Sequence, residues 1–142
     1  MSGHRSNQKG VLAEQFFTYH AVKNGFLVST PIGHASDYDF ILDAGDGLFR
    51  VQVKSNFCGR RTTAGGDKPM GGYRVTVRKG GNSKREKYSD NAFDYFAIYI
   101  SEYSVFYLIP KRLVEVGTIT LYPKKTECRF HHFKNNWDLK HA

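Results

Sequence analysis

Apolar positions along this chain change their period several times, and each change marks an element. Between residues 7 and 24, Val11, Leu12, Phe16, Tyr19 and Val22 recur at close to 3.6 residues, which predicts an α-helix with one apolar stripe laid against a sheet. Gly25 stands where a helix C′ residue belongs. Residues 26–30 form a short, β-branched apolar run, broken by the Pro, Gly and His of residues 31–36, so a strand and a loop follow the helix. The runs 40–42 and 48–53 flank Ala44-Gly45-Asp46-Gly47, and an Asp-Gly pair between two such runs signals a β-hairpin. Residues 73–78 alternate as Y-R-V-T-V-R, with Arg74, Thr76 and Arg78 on one face and Tyr73, Val75 and Val77 on the other. Residues 93–109 are the most hydrophobic part of the chain and predict two core strands, 95–100 and 105–109, joined by a tight turn. Pro110 opens one or two helical turns, a further strand covers 118–122, and Phe130, Phe133 and Trp137 let the tail pack as a short helix on the domain or on a second subunit.

One helix, a mostly antiparallel or mixed sheet and small peripheral helices describe an α/β (α+β) fold, and 142 residues suit one domain. Between the hairpin and the later strands, residues 57–72 contain five glycines and a proline with no periodicity, which reads as a long functional loop.

Charge sharpens this outline. The formal net charge is +8, and residues 44–87 hold eleven of the 21 Lys and Arg against three of the 13 acids, so this third carries essentially all the excess. A basic segment directly downstream of the hairpin fits a nucleic-acid partner. Arg60, Arg61, Lys68, Arg74, Thr76, Arg78, Lys79, Lys84, Arg85 and Lys87 are the candidate DNA contacts.

The hairpin itself is polar in an unusual way. Asp39 begins one arm, while Gln52 and Lys54 lie two apart on the other and share a face. A carboxylate, an amide and an ammonium converging on a half-buried sheet cost desolvation energy unless a ligand or metal satisfies them. Hard divalent ions take oxygen ligands, and Glu14, Asp39, the Gln52 amide and the Val53 carbonyl offer such a set for Mg²⁺ or Mn²⁺. Lys54 would then orient or deprotonate a water, or stabilise negative charge developing on a phosphate.

The order Glu14, Asp39, Gln52-Val53-Lys54 resembles the PD-(D/E)XK nuclease superfamily, whose core is a helix followed by a β-hairpin bearing the motif. Tyr38 stands in place of the proline and Gln52 in place of the acidic residue. G-x-x-A-E at Gly10 to Glu14, Y-D-F at Tyr38 to Phe40, R-V-Q-V-K at Arg50 to Lys54 and D-Y-F-A-I-Y at Asp94 to Tyr99 are similar to the subgroup containing a group I intron homing endonuclease with a Q-x-K motif. The resemblance covers roughly residues 8–110. It implies a mixed central sheet flanked by helices, with an added β-hairpin or long basic loop for DNA contact. It further implies Mg²⁺-dependent double-strand cleavage by a homo-oligomer, a dimer or tetramer, that offers one active site to each strand. Glu14, Asp39, Gln52 and Lys54 become the catalytic set, within one nuclease domain: helix and hairpin at 8–55, DNA-contacting region at 56–90, core strands and tail at 91–142. Asp37 competes with Asp39 because D-x-D leaves the register open by two residues, and Asp39 is preferred because Y-D followed by an apolar run matches the family. Gln52 lowers the negative charge of the site by one, so either Glu14 compensates or the fold survives as a DNA binder that does not cut.

Two other functional readings compete: a junction-resolving or repair nuclease on the same fold, and a basic DNA-binding module without catalysis. His131-His132 with Asn135-Asn136 lacks the strand-turn-helix context of an H-N-H nuclease, and Cys128 with His131 and His132 lacks a fourth zinc ligand. Two widely spaced cysteines without a secretory leader, and no apolar run near the roughly 20 residues that span a bilayer, lead us to expect a cytoplasmic protein, nucleoid-associated or in an organellar stroma or matrix, with no membrane partner.

Overall fold

The structure is a computed structural model that describes residues 2–33, 35–57, 61–62, 69–79, 86–115 and 117–141. Helix α1 (Ser2–Lys23) begins earlier than its apolar period suggested. It ends in a Schellman arrangement: Gly25 at φ 91° donates its N–H to the Val22 carbonyl, and the Phe26 N–H reaches back to Ala21. The face it buries corrects the sequence reading. Val11, Leu12, Phe16, Tyr19 and Val22 stay 39–62% exposed, while Ala13, Phe17 and Ala21, four residues apart, are 1% exposed or less. The helix carries two apolar arcs on opposite sides, and the sheet takes the one whose alanines let the backbones approach closely. Only Phe17 projects from that arc, into a nest of Phe40, Phe106 and Trp137 at ring distances of 5.1–5.8 Å.

Strands β1 (Leu27–Ser29), β2 (Phe40–Asp43) and β3 (Leu48–Asn56) form an antiparallel meander. The hairpin turn is held by the Ala44 N–H on the Gly47 carbonyl and by the Gly45 N–H on the Asp43 carboxylate, with the positive φ of 88° at Gly45. Next come β4 (Arg61–Thr62) and β5 (Pro69–Thr76), so part of the expected structureless stretch at 57–72 is strand, and residues 58–60 and 63–68 lie outside the described residues. Strands β6 (Tyr95–Ile100) and β7 (Val105–Pro110) are buried along their whole length, which explains their unbroken apolar runs. A single 3₁₀ turn (Lys111–Leu113) stands where one or two helical turns were expected, and β8 (Thr118–Leu121) follows.

The central sheet runs β1-β2-β3-β6-β7, antiparallel except for β3 and β6. Helix α1 covers one face over Leu42, Val51, Val53, Ala97 and Phe106. On the other face the cover is a three-stranded sheet, β4-β5-β8, whose Tyr73, Val75, Ile119 and Leu121 pack with Phe96, Ile98, Ile100, Tyr107 and Ile109. The tail packs on this same chain: Phe130 and Phe133 join the core under the second sheet, and Trp137 joins the core under the helix. No helix among the described residues is long and apolar enough to cross a membrane.

The choice of helix face is directly measurable. Phe17→Ala is expected to lower unfolding stability by about 3–5 kcal/mol, as loss of a buried aromatic does. Leu12→Gln, on the outer arc, should cost the monomer no more than about 0.5 kcal/mol in the same urea titration.

Candidate active site

Asp39 stands one residue ahead of β2. Its N–H donates to the Val51 carbonyl at 2.9 Å, and its carboxylate accepts the Val53 N–H at 2.8 Å. The side chain thus supplies the acceptor that the strand would have provided had β2 continued. This fixes the carboxylate against β3 beside the peptide of Val53.

Glu14 projects from α1 next to buried Ala13 and reaches the same point. The Asp39 charge acts on the Glu14 carboxyl, so the two acidic groups bear on one site. Burial is the main cause that raises the pKa of Glu14, followed by the Asp39 charge and the bond to Asp39. Asp39 is also raised by burial, against the opposing pull of the Val53 N–H, the Lys54 charge and the Glu14 hydrogen bond. Both carboxyls therefore hold a proton more firmly than free ones do. Both line a polar cavity of about 330 Å³ with Thr30, Pro31, Gly33, Ser36 and Tyr38.

Gln52 and Lys54 leave β3 on the face away from α1, alternating with buried Val51 and Val53. The Gln52 amide is loosely held, with its nitrogen 3.4 Å from the Val53 carbonyl oxygen. The Lys54 ammonium donates to the Arg78 carbonyl at 2.8 Å. Because Asp39 lies past the end of β2, Glu14 reaches it from the helix side while the charge of Lys54 acts on it from the other. Asp37 takes a different partner, an ion pair with Lys79 at 3.2 Å, so Asp39 is the carboxylate of the D-x-D pair that meets Glu14.

Two residues join this neighbourhood that sequence reading passed over. Tyr88 is 6% exposed, and its ring lies 5.3 Å from the Lys54 ammonium and 6.0 Å from that of Lys79. Phe93 and Phe96 hold that ring edge-on, and its hydroxyl is pushed up to about 12 by burial and by the charges of Asp39 and Asp37. Nothing in the polar run before Tyr88 announced it. Asn56, 6% exposed, continues the Gln52–Lys54 alternation by one step and donates to the Arg74 carbonyl at 2.8 Å. The period-two rule would have found it.

Of the candidate DNA contacts, Arg74 and Lys87 are exposed, while Thr76, Arg78 and Lys79 are half-buried near β3. Arg61 sits on β4, and Arg60, Lys68, Lys84 and Arg85 lie outside the described residues.

No three His, Cys, Asp or Glu side chains gather among the described residues. This removes the zinc set of Cys128, His131 and His132 from consideration. At the Glu14–Asp39 pair the remaining donors are the Gln52 amide and the Val53 carbonyl, an all-oxygen set suited to a hard divalent ion. Two half-buried carboxyls whose charges oppose each other fit such an ion, because a cation between them relieves that repulsion.

A family model described as PD-(D/E)XK endonuclease matches residues 4–138. Among solved structures, the bacterial homing endonuclease I-Ssp6803I is similar at a TM-score of 0.74 and 26% identity, over 92% of this chain and 89% of that one. No curated protein matches.

The raised pKa values of these two carboxyls give the fold a pH dependence in the absence of metal. Both folded pKa values lie above the ordinary 4.5 and 3.8, so the contribution is complete below those values and is lost as pH rises through the folded ones. Glu14→Gln cannot ionise. In chelator it should melt higher than the parent near pH 7 and level with it near pH 4. An equal difference at both pH values would remove the carboxyl pair as its cause.

Proposed function

The chain belongs to the PD-(D/E)XK endonuclease family, and from that premise we propose that it is a metal-dependent, site-specific endonuclease of the homing type that hydrolyses both strands of duplex DNA. The observation that carries this reading is the meeting of Glu14 from the helix with Asp39 from the hairpin, beside a strand that presents Gln52 and Lys54. The likeness to a bacterial homing endonuclease supports the finer assignment.

Glu14, Asp39, the Gln52 amide oxygen and the Val53 carbonyl would hold Mg²⁺ or Mn²⁺. When bound, such an ion lowers the pKa of a water and neutralises charge on the scissile phosphate. This chain's own residues do the rest. Glu14 would have to be ionised to hold the ion, so metal and proton would compete for the carboxyl pair. Gln52 has no basicity and moves no proton, which leaves Lys54 as the group that meets the developing negative charge, its ammonium steadied by the Arg78 carbonyl and the Tyr88 ring. Arg60, Arg61, Lys68, Arg74, Thr76, Arg78, Lys79, Lys84, Arg85 and Lys87 are the proposed contacts to DNA.

A homo-oligomer completes the reading. Two antiparallel strands need two sites, and the outer arc of α1 is an apolar face that a second copy would bury about a twofold axis. Leu12→Lys with Tyr19→Lys should convert a dimer or tetramer to monomer in light scattering after gel filtration, without loss of thermal stability in the monomer's fold.

Cleavage of supercoiled plasmids in Mg²⁺, with and without candidate sites, tests the activity. One discrete cut, lost in chelator and restored by Mg²⁺ or Mn²⁺, is expected. Cutting confined to branched DNA would favour the junction-resolving reading instead, and binding without cutting under every divalent ion would sink the nuclease. Lys54→Ala should slow cleavage by roughly 10²–10³-fold with DNA affinity nearly intact, because its ammonium acts at the transition state. An equal loss of affinity would make it an ordinary phosphate contact.

A further inference from the structure

The outer face of the second sheet is built differently on β5 and on β8. β5 turns Arg74 and Thr76 outward, and β8 turns Thr118 and Thr120 outward opposite them, in the register Arg74↔Thr120 and Thr76↔Thr118. Buried Tyr73, Val75, Ile119 and Leu121 alternate with these and fix which side faces out. A Cβ on Gly72 would come within 2.7 Å of the Thr120 methyl and 2.9 Å of the Tyr122 ring, so that ring takes the space that a side chain at residue 72 would fill. At the other end a Cβ on Gly117 would strike the guanidinium group of Arg78, which lies across the start of β8 in the same manner. Lys125 places its ammonium 4.7 Å from the Tyr122 ring.

The result is a face with cations at its ends, Arg78 and Lys125, and neutral hydroxyl and methyl groups from β8 between them. Duplex DNA is recognised by that division of labour: charge holds phosphates, while uncharged donors, acceptors and methyl groups discriminate base edges. Threonine suits the second task, since its hydroxyl serves either base type and its methyl packs on that of thymine.

We propose that β8 is a sequence-reading strand, with Thr118, Thr120 and Tyr122 contacting base edges beside Arg74 while Arg78 and Lys125 hold flanking phosphates. This deepens the DNA-endonuclease reading and rests on it. The face is tied to the strand that carries Gln52 and Lys54: Lys54 donates to the Arg78 carbonyl and Asn56 to the Arg74 carbonyl, both at 2.8 Å. Bases read on this face would therefore lie at a fixed distance from the bond that is cut.

Selection from a randomised duplex pool in chelator, where binding occurs without cutting, provides the test. The parent should enrich one motif. Thr120→Val, Thr118→Ala and Tyr122→Phe, alone and together, should weaken the preference by about tenfold at one or two positions, with affinity for unselected duplex and its salt slope unchanged. Lys87→Ala should do the converse, keeping the motif and lowering the salt slope by about one. A triple variant that folds and enriches the parent's motif unchanged would overturn the proposal, as would a parent that binds duplex yet enriches no motif. A protein that never cuts plasmid DNA but shows the expected motif shift would instead overturn the nuclease reading and leave the reading strand standing.

Discussion

A carboxylate that finishes a β-ladder is the constraint on which the rest depends. Asp39 accepts the Val53 N–H in place of a backbone carbonyl, so its position is set by β3 as firmly as if it were main chain. Helix α1 must then bring Glu14 to that place, and it does so through the close approach of Ala13, Phe17 and Ala21 to the sheet. Moving either element by one residue would turn these groups away from each other. The fold accepts two carboxyls in mutual contact because the same packing that crowds them also fills the core.

Much of this was legible in the chain because it rests on local rules. The hairpin, the turn at Gly45, the helix end at Gly25 and the continuous runs of β6 and β7 follow from period and glycine placement. That Glu14 would reach the end of a neighbouring strand, and that Gln52 and Lys54 would share a face, was legible because a helix and a hairpin keep their order. The buried face of α1 was not legible. Counting large apolar residues favours the arc of Leu12 and Phe16, whereas contact with a sheet favours small residues and one inserted ring. Tyr88 was equally hidden, since its place beside Lys54 and Lys79 comes from Phe93 and Phe96, remote from both in sequence. The second sheet could not be foreseen either, because β5 finds its partner β8 more than forty residues later.

Gln52 looks less anomalous inside this environment than in the bare motif. A third carboxylate at that position would add charge to a pair already disfavoured as two anions by burial. The amide keeps an oxygen donor and removes that repulsion, at the expense of attraction for a cation. Nearby positive charge is arranged accordingly: Lys79 is spent on Asp37, and Lys54 rests against a carbonyl and an aromatic ring.

Strands β3 and β6 are the parallel pair of the central sheet, and parallel neighbours require a crossover. In most folds that crossover is a helix whose only task is to return the chain. Here the return path is the segment proposed to contact DNA, since β4 and β5 are both inserted between the two strands. The central sheet is complete without specifying what this insertion contains, provided that its ends arrive at Asn56 and Tyr95. A change of target is thus open to such a chain through the outward side chains of this excursion and of β8, provided that the Arg78 carbonyl and the Tyr88 ring still meet Lys54.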